Sequence, residues 1–223
     1  SILFAGPLLA RSGKAVLPPP GGDVIGRRRL DTHFLALTEL GARVDIDGQF
    51  TFTANKLIGQ DIFLDEASVT ATENAVMAAV LAEGTTIITN AASEPHVQDV
   101  CKMLNSMGAK ISGIGSNILT ISGVQALSGT DYKIGPDFME IGSFIGLAAV
   151  THGSITITDI EPADMRPIRL AFGKLGIRWN IEGTTLTVPT QQDLQINSGI
   201  GGMIPEIDDA PWPGFPPDLT SIM

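Results

Sequence analysis

Three stretches of this 223-residue chain hold residue types that act on anions and hydroxyls. The first, PPPGGDVIGRRRLDTH over residues 18–33, sets three consecutive arginines in a Pro/Gly-rich loop just ahead of an amphipathic pattern. Guanidinium groups in such a loop grip a carboxylate or phosphate bidentately, and the small Gly21 and Gly22 let a ligand approach the backbone. The same residues also read as a solvated basic turn, with Asp23 as a turn former or helix cap. The second stretch, DEASVTATEN over residues 65–74, sets Ser68, Thr70 and Thr72 before a buried helix. They serve as an N-cap or as an anion site at the helix N-terminus, and capping is the default. The third, DDAPWPGFPPDLTSIM over residues 208–223, uses Pro211, Pro213, Pro216 and Pro217 to stiffen a loop that delivers Asp218 at a helix start. Asp218 is a cap or a positioned base, and pattern alone favours the cap.

Other reactive types fall away. Cys101 lies on an apolar helix stripe with Val97, Val100, Leu104 and Met107, the position of a core thiol and not of a nucleophile. His33, His96 and His152 lack metal-ligand spacing, and neither a Walker loop nor a dinucleotide fingerprint is present.

The elements that position these residues come in copies. LALTELGARVDIDGQFTFTA, CKMLNSMGAKISGIGSNILTIS and LAFGKLGIRWNIEGTTLTV align on Gly41, Gly108 and Gly176, which recur about 68 residues apart. Ahead of them stand ILFAGPLLARSGKAVLPP, AVMAAVLAEGTTIITNA and SFIGLAAVTHGSITITDI. Each of these reads as a helix apolar on nearly all sides, a glycine stop at Gly13, Gly84 or Gly153, and a short strand such as residues 85–89 or 154–158. The second helix of each copy is amphipathic, and a hairpin with a turn glycine (Gly48, Gly115 or Gly183) closes it. The predicted unit is therefore β-α-β-α-β-β, its first copy lacking the opening strand. Such units bury their helices only by packing together, which predicts an α/β fold with helices inside and sheets outside.

Composition limits the partners. The 24 acidic residues against 14 basic ones, a net charge of −10, oppose binding to nucleic acid or to an anionic membrane surface. One cysteine forms no internal disulfide, no apolar run reaches the ~20 residues of a bilayer span, and residues 1–13 lack the basic flank of a signal peptide. A cytoplasmic location is expected.

Taken in order, GPLLARSG, GGDVIGRRRLDTH, SVTATEN, AEGTTIITNAASEP, LNSMGAKISGIG and WPGFPPD resemble the UDP-N-acetylglucosamine enolpyruvyl transferases along essentially the whole chain. The resemblance implies an inside-out α/β barrel of two domains built from six repeated units. Here residues 1–135 would be part of the first domain and 136–223 the start of the second, with ligands bound between them. It further implies transfer of the enolpyruvyl group of phosphoenolpyruvate to the 3′-hydroxyl of UDP-N-acetylglucosamine, at the opening of peptidoglycan synthesis. No metal or organic cofactor is implied. By the same resemblance Asp218 is the general base and Arg28 holds the phosphoenolpyruvate phosphate. Arg28, Arg29, Leu30, Asp31 and Thr32 line the uridine, while Ser68, Val69 and Thr70 meet the diphosphate.

Departures from the family pattern matter as much. Asp23 stands where most members carry a cysteine that serves in acid catalysis and is alkylated by fosfomycin. A carboxylic acid supplies a proton only if burial or a negative neighbour raises its pKa, whereas Arg28 pushes it down. Thr70 replaces the usual glycine of SVGAT, and Pro217 replaces the threonine of FPTD. Family members are nearly twice as long, so this chain alone is expected to be inactive. Two rivals remain open: a 5-enolpyruvylshikimate-3-phosphate synthase-like enzyme, and a noncatalytic UDP-sugar binder.

Overall fold

The three recurring glycines end their helices in a conformation that strains any residue bearing a Cβ. Gly41, Gly108 and Gly176 take φ of 99°, 103° and 83°, each just past an amphipathic helix and before a hairpin. The computed structural model describes residues 1–19, 21 and 30–223, so Asp23, Arg28 and Arg29 lie outside the described residues. The chain divides into two compact units, Ser1–Lys133 and Ile134–Met223.

The first unit holds two copies of the repeat. One comprises α1 (Ala5–Ser12), β1 (Lys14–Leu17), α2 (Asp31–Glu39), β2 (Arg43–Ile46) and β3 (Phe50–Thr53). The other is complete: β4 (Asp61–Phe63), α3 (Val69–Ala79), β5 (Thr85–Thr89), α4 (Pro95–Ser106), β6 (Lys110–Ser112) and β7 (Ile118–Ser122). Their sheets run β1-β3-β2 and β4-β5-β7-β6, antiparallel except for the parallel pair β4–β5. In both, the last hairpin strand is central and takes the strand that follows the buried helix on its other side.

Strand alternation sends Ile62 and Ile88 into the core and leaves Phe63 and Ile87 outside. On the inner side α3 packs against α1, α2 and α4, and from Ala71 to Ala79 only Met77 is not buried. This is the helix inside, sheet outside arrangement that an all-round apolar helix demands.

The second unit contains α5 (Phe138–Val150), β8 (Ile155–Ile157), α6 (Arg166–Lys174), β9 (Asn180–Glu182) and β10 (Thr185–Val188), then a 3-10 turn at Pro217–Ile222. Its sheet order, β8-β10-β9, repeats that of the first copy.

Three expectations are corrected. The third copy has no opening strand, since residues 124–137 form none. Their hydrogen bonds go to α4 and its end instead: the Ser128 amide donates to the Met107 carbonyl at 2.8 Å, and the Tyr132 hydroxyl donates to Asp99 at 2.7 Å. The stop after α5 is not Gly153 but His152, at φ 52°, and the Gly153 amide then closes onto the Ala148 carbonyl at 2.9 Å. Finally, α5 is not buried all round, because Phe144, Leu147 and Val150 are 41%, 53% and 67% exposed. A helix is buried on every side only where other helices surround it, as α1, α2 and α4 surround α3. Within the second unit α5 meets β8, β10, the turn at Pro217–Ile222 and, through Ile168, the single helix α6, which leaves Phe144, Leu147 and Val150 uncovered.

No helix among the described residues is long and apolar enough to cross a membrane.

Candidate functional site

Ser68 is the N-cap of α3. It adopts extended backbone, its hydroxyl accepts from the Ala71 amide at 3.4 Å, and its carbonyl takes the Thr72 amide and hydroxyl at 2.9 and 2.7 Å. Val69 and Thr70 follow as the first two helical residues, half-buried and exposed respectively. Their amides belong to the first turn of a helix, which has no internal acceptors for them.

Leu30, Asp31 and Thr32 form the start of α2. Leu30 occupies the cap position, with its carbonyl accepting from the Phe34 amide at 3.0 Å. Asp31 is exposed, whereas Thr32 is buried and its hydroxyl donates to Asp65 Oδ1 at 2.8 Å. His33 is 4% exposed and joins the two helices directly: Nε2 lies 3.3 Å from Thr70 Oγ1, and Nδ1 lies 3.1 Å from Asn74 Nδ2. Asn74 is fully buried in the middle of α3, where its Oδ1 accepts from the Gly6 amide at 2.6 Å and its Nδ2 donates to the Ile2 carbonyl at 3.0 Å. Thus the starts of α2 and α3 are joined through Thr32 with Asp65 and through His33 with Thr70.

Sequence reading passed over His33, Asn74 and Asp65 as functional residues. The available signal was Asn74 itself: an amide inside a helix apolar on all sides must find buried partners. His33 carries a second consequence. Burial lowers its pKa from 6.5 to about 4, so the neutral ring is the folded form. A histidine pKa depressed on folding gives stability that is full above pH 6.5 and is lost as pH falls from there toward 4. Glu73, raised first by burial and then by the charge of Glu94, works in the opposite sense. Comparing wild type with His33→Gln separates them. Their difference in unfolding free energy is expected to shrink by about 2 kcal/mol, after allowing for screening, between pH 7 and pH 4. Urea unfolding at both pH values measures it, and a difference independent of pH would refute the assignment.

In the second unit Asp218 is the second residue of the Pro217–Ile222 turn and is exposed. It is not a helix cap, which corrects the reading from pattern: Pro216 holds that position, and no side chain caps the turn. The flanks are fixed instead by packing. Phe215 and Leu219 are buried, Phe215 lies 6.3 Å from the Phe172 ring, and a Cβ on Gly142 would fall 2.8 Å from Leu219 Cδ1. Trp212 packs at 5.2 Å on Phe138. Asp218 is thus an exposed carboxylate on a short turn whose buried anchors are Phe215 before it and Leu219 after it. Cys101 is buried in the core as expected, its thiol pushed up to about 11 chiefly by burial and secondarily by Glu73.

Residues 1–223 match the EPSP synthase (3-phosphoshikimate 1-carboxyvinyltransferase) family over the whole chain. Among curated relatives, the UDP-N-acetylglucosamine 1-carboxyvinyltransferases of Treponema denticola and Treponema pallidum are 80% and 70% identical over all 223 residues, which cover 52% of each relative. The chain therefore spans about half the length of these relatives. Solved structures with the same fold include the enolpyruvyl transferase NikO of Streptomyces tendae, with TM-score 0.68, 23% identity, and coverage of 84% of this chain and 46% of that one. An EPSP synthase of Acinetobacter baumannii has TM-score 0.65 and 20% identity, covering 89% and 46%. Matched from its first residue to its last, the chain belongs to the EPSP synthase (3-phosphoshikimate 1-carboxyvinyltransferase) family.

Proposed function

We propose that this chain carries part of the machinery of a UDP-N-acetylglucosamine 1-carboxyvinyltransferase. The observation that carries this reading is the 80% identity, along every residue, with a relative of that name. In the proposed reaction Asp218 takes the proton from the sugar 3′-hydroxyl as its oxygen bonds to C2 of phosphoenolpyruvate. Asp23 supplies a proton to C3. The tetrahedral adduct then returns a C3 proton to the Asp23 carboxylate as the C2–O bond to phosphate breaks, the double bond re-forms, and inorganic phosphate departs. The product feeds peptidoglycan synthesis in the cytoplasm. Arg28 holds the phosphoenolpyruvate phosphate, residues 28–32 line the uridine, and Ser68, Val69 and Thr70 meet the diphosphate.

The test is phosphate release by a protein of the relatives' full length, given phosphoenolpyruvate and UDP-N-acetylglucosamine. Release is expected to depend on the sugar nucleotide, to resist fosfomycin, and to fall by about 10²-fold or more in Asp23→Ala. A carboxylate cannot form the thioether that a cysteine forms, so a stable fosfomycin adduct on Asp23 in a mass spectrum would refute the expected resistance. Release that depends on shikimate 3-phosphate instead would reassign the acceptor. Folded, sugar-binding protein without release would make this a noncatalytic binder. Turnover by the 223-residue chain alone would show that the other half of the relatives' length is dispensable.

A further inference from the structure

The hydrogen bonds around Asn74 determine which proton sits where on His33. Backbone groups settle the amide: the Gly6 amide can only donate, so it faces Oδ1, and the Ile2 carbonyl can only accept, so it faces Nδ2. The second hydrogen of Nδ2 then points at His33 Nδ1, 3.1 Å away, which must be an acceptor. In a neutral imidazole the proton is therefore on Nε2, the nitrogen 3.3 Å from Thr70 Oγ1. The Thr70 hydroxyl accepts from the ring, and its own hydrogen has no acceptor among the described residues. Thr70 is an exposed residue in the first turn of α3, which leaves that hydrogen free for a ligand.

We propose that His33 is a positioning residue: through Asn74, His33 and Thr70 a one-way chain of donors turns the Thr70 hydroxyl into a fixed donor for a phosphate oxygen of the nucleotide sugar. This inference rests on the function proposed above and adds a side-chain contact to it. A threonine in place of glycine need not crowd the diphosphate. Its hydroxyl, polarised by a ring N–H, donates more strongly than a free one. Because the ring is buried and anchored at both nitrogens, the hydroxyl is oriented before the ligand arrives. The backbone ends of the chain, at Ile2 and Gly6, precede α2 and α3 in sequence, so the arrangement ties α1 to the same point.

The test uses full-length protein and steady-state kinetics on Thr70→Val, Thr70→Ser, His33→Gln and the double variant Thr70→Val/His33→Gln. Thr70→Val is expected to raise the KM for UDP-N-acetylglucosamine about tenfold, the size of one hydrogen bond to a charged group, with kcat and the phosphoenolpyruvate KM within about threefold. Thr70→Ser, which keeps the hydroxyl, restores the sugar KM. His33→Gln raises the same KM, and the double variant is no worse than Thr70→Val alone, because both remove one chain. Tm values for each variant separate this from a folding defect. An unchanged sugar KM in Thr70→Val, additive effects in the double variant, or an effect on phosphoenolpyruvate alone would overturn the proposal while leaving the enzyme assignment intact. A wild type without sugar-dependent release would overturn both.

Discussion

In a protein of the relatives' full length, Asp218→Asn is expected to reduce sugar-dependent phosphate release by about 10²- to 10⁴-fold. The affinity for UDP-N-acetylglucosamine should stay within about threefold, because the amide keeps the shape of the carboxylate and only its capacity to take a proton is lost. The structure gives a reason to expect no folding defect. Asp218 is exposed and caps nothing, while the turn depends on Phe215 and Leu219, and on the Leu219 amide donating to the Pro216 carbonyl at 3.1 Å. A kcat measured by phosphate release and a Kd measured by calorimetry separate the two effects. Turnover within tenfold of wild type would place the general base elsewhere.

Asp218 also shows where sequence pattern misleads. Aspartate after proline at a helix start is the usual picture of a cap, yet here the cap position falls two residues earlier, on Pro216. What pattern encodes well is periodicity. The repeated glycines, the amphipathic stripe through Cys101 and the hairpins around Gly48, Gly115 and Gly183 all appear at the expected places, because each depends on residues within one turn or one hairpin. What depends on neighbours far along the chain was not legible. An apolar α5 looks like an apolar α3 in sequence, but burial of Leu147 needs a further element over a face that α6 does not cover. The pairing of His33 with Thr70 and Asn74 spans 37 and 41 residues, and no spacing rule joins positions so far apart.

The same distance dependence makes Asn74 a sensitive buried polar position in the first unit. Asn74→Leu keeps roughly the volume of the side chain but removes both the acceptor and the donors. It leaves the Gly6 amide unpaired, the His33 ring nitrogen without its donor, and the Ile2 carbonyl with only partial access to water. Each buried group left unmet costs about 1–3 kcal/mol. Two fully buried groups and one partly buried group together give an expected loss of about 3–5 kcal/mol. That is a large part of the 5–15 kcal/mol that typically holds a domain folded. With a urea slope near 2 kcal/mol per molar, the midpoint should move down by about 2 M. Added bulk at Gly6 offers the amide no relief, since a Cβ there would fall 2.5 Å from Asn74 Oδ1, so α1 and α3 are already in contact at this point. If Asn74→Leu unfolded at the wild-type urea midpoint, these groups would be reaching water in the folded protein, and the fixed tautomer of His33 would lose its anchor. A loss of the expected size would instead mean that one amide joins α1, α2 and α3 beneath the proposed diphosphate contact.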